Sequence, residues 1–186
     1  MIDINAAAGA AIVNLITPDG ARLSIHRHGA HISSWVSSDG LERLYLSGCA
    51  DYRPSAAIRG GIPVIFPQFA SEGALSKHGF ARTADWQFVE AGPTAHGGEA
   101  IRFRLQDSDV SRAIWPQAFT AELLAVIGGQ QLSVALSVRN RGTTVFTFTA
   151  ALHTYLAIDD LTATRLIGLQ GLRYRDSANG GALGVE

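Results

Sequence analysis

The stretch that decides the fold class runs from Glu99 to Arg139 and reads EAIRFRLQDSDVSRAIWPQAFTAELLAVIGGQQLSVALSVR. Near its start, Ile101, Phe103 and Leu105 alternate with two arginines and a glutamine. Residues 132–139 repeat the alternation after a Gly-Gly-Gln turn at 128–130. A period of two is that of a half-buried β-strand. The stretch therefore predicts strands at 99–106, 118–127 and 132–139.

Strand and turn signals of the same kind recur in the rest of the chain. Residues 11–17 and 21–27 flank Pro18-Asp19-Gly20 and predict a hairpin. Further strands are predicted at 31–37, 85–90 and 143–155, with one or two short ones in 161–172. Short strands at about ten-residue spacing, without long helical periodicity, predict an all-β antiparallel sandwich. We expect one domain over residues 1–186, with a glycine-rich end that either frays or leaves the sandwich incomplete.

Composition excludes several classes of function. The chain has 186 residues and a formal net charge of -1, which argues against a general nucleic-acid binder. No apolar run is long enough to span a bilayer, and the N-terminus lacks the basic flank of a secretory signal. Cys49 is the single cysteine, so no internal disulfide framework exists. These features predict a cytoplasmic protein.

Most of the candidate site residues lie in one segment, residues 57–86, which reads AIRGGIPVIFPQFASEGALSKHGFARTADW. Its glycines and prolines predict a shaped loop. Arg59, Lys77, His78 and Arg82 make it a candidate pocket for a small anion. The competing interpretation is a solvated connector with scattered charges.

Two other clusters invite functional interpretations that the residues do not favour. His26, His28 and His31 form an HxHxxH pattern, but no Cys, Asp or Glu stands beside them to complete a metal coordination shell. Asp159-Asp160 is a candidate carboxylate pair, yet a solvated turn fits its position better. We predict no metal and no other cofactor.

Five motifs in one order carry a family resemblance. They are IRGGIPVIFPQF (58–69), HGFARTADW (78–86), WPQAF (115–119), ALHTYLAIDDL (151–161) and GLQGLRYRD (168–176). With them the chain resembles the hexose-6-phosphate mutarotases, or glucose-6-phosphate 1-epimerases, of the galactose mutarotase-like (aldose 1-epimerase) superfamily. The resemblance implies a large β-sandwich that interconverts the α and β anomers of a hexose phosphate by opening its ring, without a cofactor.

The resemblance also implies roles for individual residues. His153 would protonate the ring oxygen, a task that suits histidine because its ordinary pKa lies near working pH. Arg59 and Arg82 would bind the substrate and its phosphate, Lys77 would contact substrate, and His78 would hydrogen-bond sugar oxygens. Without that context, a histidine on an apolar strand is more often a core residue, and such arginines are more often surface ion-pair partners.

The family's base glutamate and a sugar-binding aspartate lie beyond the last of these motifs, and no position of this chain corresponds to them. We therefore expect that the chain is a partial sequence of a normal enzyme. The less favoured alternatives are a truncated pseudoenzyme and a chain that completes its sheet with a second copy. The alternatives to an isomerase of hexose 6-phosphates are a non-catalytic sugar-phosphate binding module and an aldose 1-epimerase for free sugars. The cations at 59, 77 and 82 disfavour a neutral sugar. The preferred hexose and the oligomeric state stay open.

Overall fold

Two four-stranded antiparallel sheets dominate the computed structural model, which describes residues 2–5, 12–95 and 97–186. The first sheet has the order β1 (Ile2–Asn5), β2 (Ile12–Ile16), β3 (Arg22–His26), β4 (His31–Val36). The second has the order β6 (Gln87–Pro93), β7 (Glu99–Gln106), β8 (Phe119–Gly128), β9 (Gln131–Asn140). Two strand pairs complete the set, β5 (Val64–Ile65) with β10 (Ala151–Leu152) and β11 (Arg173–Asp176) with β12 (Ala182–Val185).

The alternation in the sequence translates directly into buried and exposed faces of the second sheet. Every second residue of β8, from Phe119 to Ile127, is buried, and the residues between them are half-buried. Strand β7 starts and ends at the predicted residues, and β9 extends its prediction by one residue at each end. The three strands are confirmed because a period of two sends side chains alternately to the core and to the outer surface.

The inner faces of the two sheets share one hydrophobic core. The first sheet contributes buried apolar side chains such as Leu15, Leu23 and Ile25, and the second contributes Phe103 and Leu123, among others. Burying each such side chain contributes roughly 1.5–3 kcal/mol. The predicted all-β antiparallel class is confirmed.

An aromatic cluster joins this core to the segment that carries the candidate pocket residues. Phe66 has its ring centroid 5.5 Å from that of Trp115, 5.2 Å from Phe119 and 5.3 Å from Phe148. The indole of buried Trp86 donates to the Ala81 carbonyl at 2.9 Å. The aromatic residues of three sequence motifs therefore pack in the core and hold residues 66–86 against the second sheet.

The predicted hairpin is present, and Gly20 N–H donates to the Thr17 carbonyl at 3.0 Å in its turn. Ala11, at the start of the prediction, lies outside the described residues, as do residues 1 and 6–10 of the stretch interpreted as lacking a secretory signal. Strand β6 runs from 87 to 93 where 85–90 was predicted.

The prediction of a strand over 143–155 is wrong apart from β10 at 151–152. Residues 143–150 hold single contacts instead: Thr149 N–H donates to the Pro67 carbonyl at 3.0 Å, and Asn140 donates to the Thr144 carbonyl at 2.7 Å. Val145 is 93% exposed. β-branched and aromatic residues favour an extended backbone, but a strand also needs a hydrogen-bonded neighbour, which local sequence does not encode.

Three further differences concern the C-terminal third and the missed helix. Residues 161–172 contain no strand, contrary to prediction. The glycine-rich end does not fray, since β11 and β12 form a hairpin in which Arg173 pairs with Val185. Helix α1 (Asp109–Ile114) was not predicted, and a capping box between Ser108 and Ser111 starts it.

Among the described residues, no helix has the length and apolarity needed to cross a membrane.

Candidate active site

An open cavity of about 930 Å³ lies where the β4–β5 connection, the 77–82 segment and the end of β10 meet. All five positions that the sequence singled out line it, although they come from distant parts of the chain: Arg59, Lys77, His78, Arg82 and His153. The structure therefore brings the predicted site residues together around one space.

Arg59 is exposed, and the glycines that follow it tie its loop to the site. The Arg59 carbonyl accepts from Ser47 N–H at 3.1 Å. Gly61 N–H donates to the Tyr45 carbonyl at 2.7 Å, and the Gly61 carbonyl accepts from Tyr155 N–H at 2.9 Å. These bonds fix the backbone beside Arg59 to the segment that follows His153.

His153 comes directly after β10, and its N–H donates to the Pro63 carbonyl at 3.1 Å. Its ring lies almost parallel to that of Tyr155, with 4.8 Å between centroids and 24° between planes. The His78 ring stands edge-on to it at 6.1 Å and 85°. The imidazole is half-buried, so it is held by stacking while it faces the cavity.

His78 is locked by hydrogen bonds to a neighbouring turn. Its backbone φ is +71°, its N–H donates to the Ala70 carbonyl at 2.8 Å, and its Nδ1 accepts from Ala70 N–H at 3.2 Å. Burial lowers the pKa of His78, and the cations Arg82 and Lys77 lower it further. The ring is therefore neutral near pH 7 and carries its proton on Nε2, which makes it a hydrogen-bond donor rather than an acid.

Arg82 donates from Nη2 to the backbone carbonyl of Lys77 at 2.9 Å, and both residues line the cavity. Burial lowers the pKa of Arg82 from its usual value, but a guanidinium stays charged at any physiological pH. The buried side chain of Gln68 stabilises the segment 68–75, which comes before Lys77. It donates to the Leu75 carbonyl at 3.0 Å and accepts from Leu75 N–H at 2.9 Å.

The charge around the cavity is unbalanced. Within the described residues, Arg59, Lys77 and Arg82 form no ion pair with a carboxylate. Asp51 is the one carboxylate among the described lining residues, and the Arg53 side chain binds it at 2.5 Å. Hydrogen bonds from Arg53 lower the pKa of Asp51 to about 2. The site is thus arranged to attract an anion.

The other clusters that the sequence raised have local structural partners. The described part of the chain contains no group of three or more His, Cys, Asp or Glu side chains placed to hold a metal ion. His28 bonds the Ala56 carbonyl through Nε2 at 2.6 Å. Asp160 accepts from Thr162 N–H at 2.8 Å in an exposed turn, in line with the turn interpretation.

Sequence reasoning missed several residues that line the cavity, among them Tyr45, Cys49 and Tyr155. A signal was present for Tyr155, because it lies two residues after His153 and residues at that spacing share a strand face. Residues 45 and 49 belong to an irregular connection without a repeating pattern, and no local signal identifies them.

Comparisons with known proteins identify the family of the chain. The family profile described as Aldose 1-epimerase matches residues 12–182. A protein of Cenchrus ciliaris with the provisional name glucose-6-phosphate 1-epimerase is 35% identical over 160 residues, which cover 82% of this chain and 49% of that protein. A protein of the same provisional name from Escherichia coli K12 is 35% identical over 161 residues, covering 85% and 52%.

Among solved structures, the provisionally named mutarotase YeaD of Salmonella typhimurium superposes with a TM-score of 0.82 at 28% identity, covering 95% of this chain and 58% of that chain. The chain spans about half the length of the curated relatives that it matches.

Proposed function

The chain belongs to the aldose 1-epimerase family, and from that premise we propose that its cavity binds a hexose 6-phosphate for interconversion of the α and β anomers. The observation that carries the proposal is the set of three cations, Arg59, Lys77 and Arg82, which line the same cavity as His153 and have no described carboxylate partner. A phosphate is the group that such cations suit best, because guanidinium groups donate paired hydrogen bonds to its oxygens. The provisional names of the relatives point to the same substrate.

The proposed chemistry is opening and reclosure of a cyclic hemiacetal. His153 gives a proton to the ring oxygen as the bond from that oxygen to the anomeric carbon breaks, and the bonding electron pair stays on the oxygen. A base removes the proton of the anomeric hydroxyl, so an aldehyde forms. Rotation about the adjacent carbon–carbon bond and the reverse steps give the other anomer. A positioned acid contributes about two to four powers of ten in rate.

The two histidines take different roles in this proposal. His78 is held with Nδ1 as an acceptor for Ala70 N–H, so its Nε2–H is free to donate to a sugar oxygen. No residue that the structure describes forms a hydrogen bond with the His153 ring, which lines the cavity. This difference supports His153 as the proton donor and His78 as a positioning donor.

A second function has an observation of its own in favour. Asp51, the one carboxylate among the described lining residues, is occupied by Arg53, and its pKa of about 2 makes it a poor base. A chain that binds a sugar phosphate without turning it over fits that arrangement. The third interpretation, an epimerase for free sugars, does not explain the three cations, because a free sugar has no anionic group for them to bind.

Anomer exchange separates these functions. We expect the chain to accelerate equilibration of pure α-glucose 6-phosphate, followed by NMR, and His153→Asn to reduce the acceleration by about 10²-fold or more with unchanged affinity. Saturable binding with the exchange rate of buffer alone, both for this chain and for one extended to the length of its relatives, supports the binding module instead. Absence of both binding and exchange overturns the proposal.

Competition tests the phosphate assignment. Inorganic phosphate should displace glucose 6-phosphate, and Arg82→Gln should weaken binding of the phosphorylated sugar while binding of free glucose stays the same. Equal affinity for glucose and its 6-phosphate would favour the free-sugar epimerase. We also predict that the protein needs no metal or other cofactor, since the proposed chemistry consists of proton transfers alone. As a separate prediction, it works in the cytoplasm.

A further inference from the structure

Three histidines outside the cavity each contact a different point of one loop, residues 45–61, which we name the Arg59 loop. His26 belongs to β3, His28 to the following turn and His31 to β4. None of the three lines the cavity, whereas nine residues of the Arg59 loop do. These are the histidines whose spacing first raised the question of a metal site.

His31 packs under the glycine pair that follows Arg59. The residue is 2% exposed, and its Nε2 has no hydrogen-bond partner among residues 2–5, 12–95 and 97–186. A β-carbon built on Gly61 would lie 2.8 Å from that Nε2 and 2.1 Å from the Ile32 carbonyl oxygen. The imidazole and β4 therefore meet the backbone of Gly61 directly, two residues beyond Arg59.

His28 holds the middle of the loop by a hydrogen bond. Its Nε2 lies 2.6 Å from the Ala56 carbonyl oxygen. Because a carbonyl only accepts, the His28 ring carries its proton on Nε2. Ala56 itself lines the cavity, so this bond links the turn after β3 to the cavity wall.

His26 supports the outer part of the loop through its ring face. The Tyr52 ring stacks on it with 5.5 Å between centroids and 27° between planes. Behind it, His31 stands edge-on at 6.2 Å, and the two histidines are partners in the β3–β4 register. Ser33 fixes the other side of the His26 ring through a 3.0 Å contact with Nε2.

The loop has few anchors of its own in this region. Residues 52–55 are all exposed, and the turns at Ala50 and Ala56 are closed by bonds within the loop, to the Ser47 and Arg53 carbonyls. A segment with little apolar burial depends on specific contacts to keep one conformation.

We propose that His26, His28 and His31 are positioning residues that hold the Arg59 loop, and through it the Arg59 side chain, in place for the ligand. The ligand part of this inference rests on the proposed function, whereas the support of the loop does not. The three histidines of the HxHxxH pattern thus act on the site indirectly, by holding the backbone of the Arg59 loop.

The test compares His28→Leu, which removes the donor, with His28→Gln, which keeps one, and with Arg27→Gln as the matched control. Arg27 lies in the same turn and pairs with Asp85 on the other side, away from the loop. Amide hydrogen exchange is measured in the Arg59 loop and in β7–β8, together with the dissociation constant for glucose 6-phosphate. Tyr52→Ser, at an exposed position, is a second variant that leaves the core untouched.

We expect His28→Leu and Tyr52→Ser to speed exchange of the loop amides at Ala50 and Ala56 by about tenfold, with β7–β8 unchanged, and to raise the dissociation constant by a similar factor. His28→Gln should restore both to within about threefold of the original, and Arg27→Gln should change neither. Unchanged loop exchange in both variants overturns the inference, as does equal acceleration in β7–β8, which marks general destabilisation. If the original chain does not bind glucose 6-phosphate, the proposed function fails, while the exchange data still decide whether the histidines hold the loop.

Discussion

The rings of His153 and Tyr155 stack with their centroids 4.8 Å apart and their planes inclined by 24°. Tyr155 is fixed in turn by its backbone, which donates to the Gly61 carbonyl at 2.9 Å and accepts from Tyr45 N–H at 2.9 Å. The proposed acid is therefore positioned by a neighbour that belongs to the same chain segment and is tied to the loop of Arg59.

Removing the aromatic ring at position 155 should free the imidazole. Stacking of this kind contributes about 0.5–1.5 kcal/mol, so we expect Tyr155→Leu to lower any anomerase rate about three- to tenfold. Tyr155→Phe keeps the ring and should retain the rate. The ring-proton signals of His153, measured by NMR, should lose their ring-current shift in the leucine variant and keep it in the phenylalanine variant. Identical His153 spectra in both variants would contradict the stack.

Cys49 offers a chemical reporter of ligand binding. It is the only cysteine, it is exposed, and it lines the cavity. A hexose phosphate in the cavity should slow alkylation of Cys49 by iodoacetamide, measured by mass spectrometry, because it blocks approach of the reagent. Glucose 1-phosphate and inorganic phosphate report whether the anion alone protects. Arg82→Gln should abolish protection at the same ligand concentration, and a rate insensitive to saturating glucose 6-phosphate would contradict the cavity assignment.

Acid should destabilise the fold through the buried histidines. Burial, and to a lesser extent repulsion from neighbouring histidines, lowers the pKa of His26 to about 4 and that of His31 to about 3. The unfolded chain binds these protons near pH 6.5. As the pH falls from 6.5 toward 4, the unfolded state gains more protons than the folded state, so the free energy of unfolding falls, by up to about 1.4 kcal/mol per pH unit for each histidine.

Urea denaturation between pH 7 and about 5 measures this slope. Below about pH 5 the unfolded chain also protonates carboxyl groups whose pKa the fold lowers, such as that of Asp51, and this would add to the slope. In a parallel NMR titration, the ring signals of His26 and His31 should keep the positions of neutral imidazole down to pH 5. Titration of either ring near pH 6.5 would show that it is not buried as described.

Gly79 should tolerate no side chain. Its φ is +67°, and a β-carbon there would lie 2.3 Å from the Phe66 carbonyl oxygen. Gly79→Ala combines this clash with the cost of a left-handed backbone, so we expect a loss of stability of about 2–4 kcal/mol. Gly20→Ala is the control, since Gly20 has φ +89° with open space around it and should lose only about 1–2 kcal/mol. Equal losses in thermal or urea denaturation would show that the contact with Phe66 does not matter.

Local pattern predicted well where a strand has a buried face. The alternation around Ile101 and Phe103 identified β7 to the residue, because burial of every second side chain is itself what the strand requires. The same reasoning overextended the run at 143–155. Its residues favour an extended backbone equally well, but in the described structure only Ala151 and Leu152 form a strand pair, with β5, and the rest of the run makes single backbone contacts.

The candidate site was predictable only in part. The family motifs singled out Arg59, Arg82 and His153, and the structure places all three around one cavity. The tautomer of His78 was not predictable, because it depends on the Ala70 N–H brought to it by a tight turn. The role of the HxHxxH histidines was equally hidden, since their partners Tyr52, Ala56 and Gly61 lie 26 to 30 positions away.

The amino-acid sequence by itself determined the all-β class, the main antiparallel strands and membership of the aldose 1-epimerase family, because alternation, turn residues and ordered motifs are properties of short segments. Only the tertiary structure decided which side chains share the cavity, which imidazole is a donor and which residues support the Arg59 loop. The physical reason is that hydrogen bonds, stacking and uncompensated charge act over a few ångströms in space, and the path of the loops between strands sets which distant residues come within that reach.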